Sequence, residues 1–321
     1  MRLEISALFN LQETSITRKH EIGDGVFFEK LDHDWIKKVR EQCPEVPAYE
    51  LLYPPKTLTH RFAWEHTLPD GGLVNLNSVS EVKSNGYKII QRIIFLSRII
   101  KPTSIGYTPL FVESGYSKSN PGQHKSFLVF NNLNIAIVNP EFDEIFNTYT
   151  DVDAEEMTAL WANFQIFFNG PGSHNPKYHR LFRAILQNEF SYATPFGELA
   201  HSTAHTALEV LICTTHKFNK KQIVERLPQI IPSINGQDTE KIYKLCCEFK
   251  HAAAPWFLDA LQFGGQLTAS DQERLDSVIL LRQIVRKILK KAIEDISFAD
   301  ILADPQILRT AFPVYHGSTL I

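Results

Sequence analysis

The chain has 321 residues, of which 44% are hydrophobic and 21% charged, and its formal net charge is −3. This length suffices for two domains of ordinary size, and the composition is that of a folded protein, which excludes a disordered chain. The weak negative charge excludes a protein whose whole surface attracts nucleic acid, although it leaves room for a local basic patch.

The cysteines and the N-terminus indicate a cellular compartment. The four cysteines are Cys43, Cys213, Cys246 and Cys247, and their spacing fits neither a disulfide framework nor a zinc ribbon. Reduced thiols in a reducing compartment are expected. The first residues show no secretory signal, and the most apolar window, residues 89–100, is too short and too polar to span a bilayer. We therefore expect a cytoplasmic protein without a membrane partner.

Residues 1–150 combine strand and helix patterns. Four short runs, one alternating and three rich in β-branched or aromatic residues, favour strands: residues 2–9, 26–28, 126–130 and 134–138. The last two runs are separated by residues 131–133 (Asn-Asn-Leu), which predict a tight hairpin because asparagine tolerates left-handed backbone angles.

One helix and one loop are expected between these strands. Helical spacing of apolar residues predicts a helix over residues 87–100, which Pro102 ends. Residues 101–123 are rich in proline, glycine, serine and threonine, which predicts a long exposed loop. We expect a mixed, β-rich N-terminal domain, residues 1–150, which by its position is a candidate for sensing a ligand or clamping a partner.

From residue 151 onward the pattern becomes helical. Asp151 or Asp153 is expected to cap a helix, and the acidic residues that follow complement the positive end of its dipole. Further helices are predicted over residues 177–193, 198–214, 219–227, 239–250 and 270–293, and no comparable strand pattern follows residue 150. The expected fold is α+β, with an all-α helical bundle over residues 151–321.

One polar cluster falls on the predicted helix 198–214. Glu198, His201, His205 and Glu209 are spaced by three, four and four residues, which places them on one helix face. Histidine and glutamate are zinc ligands, but their order lacks the HExxH pattern in which a glutamate serves as general base. A polar helix face with two satisfied histidines is the favoured interpretation, so no metal or other cofactor is expected. A metal-dependent hydrolase that uses His201 and His205 is the alternative.

A second cluster lies at the end of the predicted helix 239–250. His251 follows Lys244 by seven residues, Cys247 by four and Glu248 by three, so the four side chains share a face. Cys247 and His251 have the spacing of a thiolate–imidazolium pair on one helix, but no nucleophile elbow accompanies them. Adjacent cysteines in a helix are more often small core residues.

The last long helix carries a basic stripe. Arg282, Arg286 and Lys290 recur every four residues, and no acidic residue interrupts residues 282–291. Such a stripe can neutralise RNA phosphates, which makes these three the candidate RNA-binding residues. A solvated outer face, with cations favoured near the helix C-terminus, explains the same pattern.

The order and spacing of these motifs resemble a known family. A helix ending in HRLFRAIL, a helix containing HTALEVLI, the segment KIYKLCCEFKHAA and a long closing helix follow one another over about residues 151–310. This half of the chain is similar to the Apea-like branch of the HEPN superfamily of helical bundles. The residues that match its two motif helices are Ala207, Leu208 and Glu209, then Ile242, Tyr243, Leu245 and His251.

The resemblance implies a metal-independent ribonuclease with an arginine followed closely by a histidine, in which two protomers pair so that both motifs line one cleft. The histidine moves a proton, and the arginine stabilises the charge that builds on the phosphorane. Here the arginine position is Cys246, which cannot stabilise that charge, and the glycine after the histidine is Ala252. Lys244 supplies a nearby cation, but without the bidentate fork of arginine.

The expected function is therefore a non-catalytic or weakly active HEPN-like module. It binds RNA, forms a homodimer through the C-terminal helical domain, and acts in phage defence or another stress response. The alternative is a working metal-independent endoribonuclease with His251, Lys244 and Glu209 as candidate catalytic residues. In that case Lys244 or another basic residue, such as Arg282, replaces the missing arginine.

Overall fold

The computed structural model describes several ranges of the chain. The chain forms two compact units. The described residues are 2–9, 16–32, 34, 37, 60–67, 76–102, 110–115, 125–129, 149–169, 174–193, 197–250 and 269–320. The first unit includes the described residues up to Ala162, and the second includes those from Asn163 onward. Within these ranges, none of the helices has both the length and the apolarity that a bilayer crossing requires.

The first unit is built on a six-stranded antiparallel sheet. Its strands are β1 (Arg2–Phe9), β2 (His20–Gly23), β3 (Val26–Lys30), β4 (His60–Thr67), β5 (Leu110–Gly115) and β6 (Lys125–Val129). They stand in the order β2-β3-β4-β1-β5-β6. The central β1 pairs with β4 on one side and β5 on the other, so that Ile5 lies opposite both Trp64 and Val112.

A long helix, α1 (Leu76–Ile100), covers one face of the sheet at β1 and β4. The strand residues Leu3, Ile5 and Ala7 alternate onto a single face and are fully buried. Gly86 permits the close approach of the helix, because a Cβ there would lie 2.4 Å from the Trp64 ring and 2.7 Å from Ile5 Cδ1.

The other set of alternating positions holds a buried charged network. Arg61 of β4 pairs with Glu4 of β1 at 2.5 Å and with Glu29 of β3 at 2.6 Å. Its guanidinium also donates to Ser6 Oγ at 3.1 Å. Since Arg61 and Glu4 are buried, each charge depends on the other for compensation. The network therefore ties β1, β3 and β4 together in one register.

The helix predicted from residue 151 begins at that residue, as α2 (Asp151–Ile166). Its cap is Thr150 and not either aspartate, because Thr150 Oγ1 accepts from the Asp153 amide at 3.3 Å while Asp153 Oδ2 accepts from the Thr150 amide at 2.7 Å. Asp151 instead accepts from the Thr17 hydroxyl at 2.6 Å and lies 2.6 Å from His20 Nε2. The start of α2 is thus bound to the segment that enters β2.

These contacts of Asp151 predict an acid sensitivity of the first unit. Hydrogen bonds from Thr17 and His20 lower the pKa of Asp151 from 3.8 to about 2. Because the folded pKa lies below the unfolded one, the stabilisation is complete above the unfolded pKa and disappears as the pH falls through the folded pKa. In urea unfolding measured across this acidic range, Asp151→Asn should flatten the pH dependence. Glu21→Gln, which removes an exposed carboxylate, is the control and should retain the wild-type slope of the free energy of unfolding against pH. An unchanged slope in Asp151→Asn would show that Asp151 does not cause the acid sensitivity.

The second unit is helical, apart from a short closing hairpin. Its elements are a 3-10 turn (Pro176–Tyr178), α3 (His179–Ala193), α4 (Gly197–Ile212), α5 (Asn219–Ile230), α6 (Gly236–Lys250), α7 (Ala269–Glu294), α8 (Ile296–Ala303), α9 (Pro305–Ala311), β7 (Tyr315–His316) and β8 (Thr319–Leu320). Helix α4 packs against α3, α5, α6 and α7. Its buried Ala200, Ala204 and Ala207 let the neighbouring helices approach closely.

The structure confirms an N-terminal part with a sheet followed by a mostly helical part. The prediction of a loop over residues 101–123 is wrong in part, because β5 lies within this range. The prolines and glycines around β5 indicate a loop, so the sequence pattern does not reveal the strand. Helix α1 begins at Leu76 and not at residue 87. The strand predicted over residues 134–138 and its turn lie outside the described residues. The hairpin β7–β8 adds two short strands to a half that was expected to be all-α.

Candidate functional site

A line of polar side chains runs along α4 inside the second unit. His201, His205 and Glu209 follow one another at four-residue spacing, so they lie on one helix face. Both histidines are buried, and the Glu209 side chain is 20% exposed. His201 Nε2 lies 3.2 Å from Ser277 Oγ of α7. The predicted polar face therefore points into the bundle; the side chain of Glu198 lies outside the described ones.

His205 is the centre of this line. Its ring packs against Tyr243 of α6, with ring centroids 5.6 Å apart, and its Nδ1 lies 3.6 Å from Glu209 Oε1. Glu209 Oε1 also accepts a hydrogen bond from Asn219 Nδ2 of α5 at 3.2 Å. Within the described part of the chain, neither ring nitrogen of His205 makes a hydrogen bond. The buried imidazole thus stands between a carboxylate and a tyrosine ring.

The other predicted catalytic residues are placed differently. Lys244 of α6 is exposed, and its charge helps the hydrogen-bonded Lys241 to lower the pKa of Glu273 on α7. The Lys241 Nζ lies 3.0 Å from Glu273 Oε1. His251 lies outside the described residues, and only the backbone of Cys246 is described. The structure therefore brings Glu209 together with His205 and Tyr243, and it presents Lys244 to solvent beside Glu273.

Burial divides the predicted basic stripe of α7. Arg282 is fully buried: its Nη2 donates to the Ser191 carbonyl, and its guanidinium carbon lies 4.4 Å from the centroid of the Tyr192 ring. It belongs to no exposed stripe, because it satisfies a carbonyl in the last turn of α3, where a cation is favoured. Arg286 and Lys290 are half-buried. The two exposed cations of this segment are Lys287 and Lys291.

Two further arginines hold the C-terminal end of α4. Arg180 of α3 donates to the carbonyl oxygens of Val210 and Cys213 at 2.7 and 3.0 Å, and Arg226 of α5 donates to that of Ile212 at 2.6 Å. These carbonyls have no partner within the helix, and cations favour its negative end. Burial lowers the pKa of Arg180 to about 10, which keeps it charged at neutral pH. The sequence does not reveal these contacts, because their acceptors are backbone atoms.

The described residues also show how the potential metal ligands and the thiols are arranged. Among these residues, no three or more histidine, cysteine, aspartate or glutamate side chains are grouped so that they could hold a metal ion. Cys213 and Cys247 are half-buried and are not joined to each other by a disulfide bond. The polar line of α4 is therefore a set of hydrogen-bonding and titratable groups.

Comparison of the chain with known protein families, with characterised proteins and with solved structures finds no match. The resemblance to the HEPN superfamily therefore depends on the short motifs of α3, α4 and α6. The function is accordingly a matter for proposal and experiment.

Proposed function

We propose that the second unit is an HEPN-like module that binds RNA and dimerises, with weak or absent ribonuclease activity. The packing of α4 on α6 carries the proposal, since it brings His205, Glu209 and Tyr243 together. Glu209 and Tyr243 occupy positions that match the family's motifs, and His205 stands between them. A polar centre of this kind is what the two motif helices would be expected to enclose.

Exposed lysines on α6 and on the neighbouring α7 support contact with RNA. Lys241 and Lys244 lie on α6, and Lys287 and Lys291 lie on α7. Each lysine that contacts a phosphate releases a counterion, so binding through them weakens as salt is added. Because Lys241 already pairs with Glu273, the α7 lysines are the better candidates for phosphate contact.

The charges argue against efficient cleavage. Cys246 stands where the family's arginine is expected, and Lys244 shares its surroundings with the Glu273 carboxylate. The loss of one well-placed donor to the transition state costs about 3–4 kcal/mol, a factor of a hundred or more in rate. We therefore place binding ahead of catalysis.

RNA binding is tested by fluorescence anisotropy of labelled RNA with the full chain over a range of salt concentrations. The Lys287→Ala/Lys291→Ala variant should bind more weakly and reduce the slope of log affinity against log salt by about 2, or about 1 per lost phosphate contact. Lys177→Ala removes a lysine that is paired with Asp300 and should leave the slope unchanged. No RNA binding by the wild type would refute the proposal.

Cleavage is tested on the same RNA in the presence of a chelator, which suppresses contaminating metal-dependent nucleases. Little or no product is expected from the wild type. Efficient cleavage that disappears in His251→Ala would instead establish the alternative, a metal-independent endoribonuclease in which Lys244 or another cation replaces the arginine. Light scattering on the same sample measures the mass, for which a dimer is expected.

A further inference from the structure

Phe218, immediately before α5, holds an unusual position. Its backbone is left-handed, with φ 61° and ψ 31°, a conformation that is costly for a bulky residue. The residue is nevertheless 43% exposed, so the core gains little from its ring. The ring stacks on that of His316 in β7, with centroids 4.1 Å apart and an interplanar angle of 25°. Packing does not explain why a strained residue should present an aromatic ring to solvent.

The loop that carries Phe218 is held by a buried side chain. Gln222 of α5 is fully buried; its Oε1 accepts from the Thr214 amide at 2.8 Å, and its Nε2 donates to the Lys217 carbonyl at 2.8 Å. The backbone amide of Gln222 donates to the Phe218 carbonyl at 3.0 Å. The loop therefore keeps its conformation through these bonds, and the Phe218 ring remains available.

The hairpin that carries His316 is fixed to the same helix. Arg226 Nε donates to the Phe312 carbonyl at 2.8 Å, Gln229 Nε2 donates to the Pro313 carbonyl at 3.1 Å, and Val314 is fully buried. Gly317 takes a φ of 61° at the first position of the two-residue turn, where a type II′ turn needs positive φ. Side chains of α5 thus hold both the segment that carries Phe218 and the segment that carries His316.

Two lysines lie close to Phe218 in the sequence. Lys217 and Lys220 are exposed, and neither residues 214–221 nor residues 314–320 contain an aspartate or glutamate. Lys220 Nζ lies 3.5 Å from Glu240, in a pair whose side chains are both more than half exposed. This pair is longer than the hydrogen-bonded Lys241–Glu273 pair, whose atoms lie 3.0 Å apart, so a phosphate displaces the Glu240 carboxylate more readily. The segment that carries Phe218 therefore offers two exposed lysines to a polyanion.

We propose that Phe218 and His316 form a stacking platform for an unpaired base of single-stranded RNA, with Lys217 and Lys220 contacting the flanking phosphates. This proposal rests on the proposed RNA-binding function. It specifies that the bound RNA has unpaired bases. Every base offers a π face to an aromatic ring, whereas duplex RNA keeps its bases stacked inside the helix. Because the two rings stack on each other, a base can stack on the outer face of the pair, next to the lysines, which suits the first kind of RNA.

The sharpest test is Phe218→Gly, because glycine adopts a φ of 61° without strain and the loop keeps its buried anchors. In anisotropy titrations with a short oligouridine, this variant should bind about tenfold more weakly than the wild type, the loss expected for one stacked base. Binding of an RNA duplex should be unaffected. Phe218→Tyr retains the ring and should bind oligouridine as the wild type does.

Phe190→Ala is the matched control, since it removes a phenylalanine of α3 that is 55% exposed; it should leave oligouridine binding unchanged. Equal oligouridine affinity of the wild type and Phe218→Gly overturns the platform but leaves the proposed RNA binding in place. No RNA binding by the wild type overturns both proposals. Loss of dimerisation in Phe218→Gly, with oligouridine affinity retained, would mean that the surface serves a protein partner.

Discussion

Replacing Arg226 with methionine should lower the free energy of unfolding by about 3 kcal/mol. The fully buried guanidinium donates to the carbonyl oxygens of Ile212 and Phe312 and to Gln222 Oε1, at 2.6, 2.8 and 3.1 Å. Methionine fills much of the same space but donates to none of them, and each buried acceptor left unsatisfied costs about 1–3 kcal/mol. Urea unfolding followed by far-ultraviolet circular dichroism measures the change.

Arg183→Met is the matched control, because Arg183 is an exposed arginine of α3. A surface substitution of this kind should stay within about 0.5 kcal/mol of the wild type. Equal stability of the two variants would show that Arg226 does not hold these segments. Since Arg226 anchors the segments that carry Phe218 and His316, its variant should also lose affinity for oligouridine.

The substitution Gly86→Ala should destabilise the first unit by about 2–3 kcal/mol, although alanine normally favours a helix over glycine by about 1 kcal/mol. The added Cβ would lie 2.4 Å from the Trp64 ring and 2.7 Å from Ile5 Cδ1. Both neighbours are buried in the sheet, so moving either one would disturb its own packing. Helix α1 would therefore have to shift away from β1 and β4. Thermal and urea unfolding measure the loss, and near-ultraviolet circular dichroism, to which Trp64 contributes as one of four tryptophans, reports the shift.

Gly236→Ala provides the comparison. Gly236 begins α6, and a Cβ there would meet no heavy atom within 4 Å. Its replacement should leave stability unchanged or raise it slightly, as helix propensity alone predicts. If Gly86→Ala behaved in the same way, the tight contact between α1 and the sheet would be disproved.

The helices of the second unit could be predicted because their signal is local. In α4 and α7 the apolar residues recur at helical spacing within the segment itself, so the sequence indicates both helices to within about two residues. Strands β1, β3 and β6 were also indicated by local runs, but the pairing of the strands could not be predicted, because β1 pairs with β4 and β5, which are distant in sequence. Strand β5 also lies among prolines and glycines that ordinarily indicate a loop.

For the candidate site, the sequence predicted which residues share a helix face, but it did not predict whether that face is buried or exposed. Four-residue spacing placed His201, His205 and Glu209 on one face, and the structure shows that this face is internal. The same spacing made Arg282 a surface residue, whereas the end of α3 covers it. The stack of Phe218 on His316 joins two distant segments through a strained backbone, and no local periodicity encodes such a contact.

The arginines at the end of α4 also limit how this sequence can diverge. Arg226 bridges the carbonyls of Ile212 and Phe312 through two different nitrogens of one planar group. A lysine has a single nitrogen and cannot present two separate donor atoms to the two carbonyls, so replacing this arginine with lysine is not conservative. Lysine and arginine can therefore replace each other at exposed positions such as Lys287. They cannot do so where a guanidinium joins separate segments of backbone.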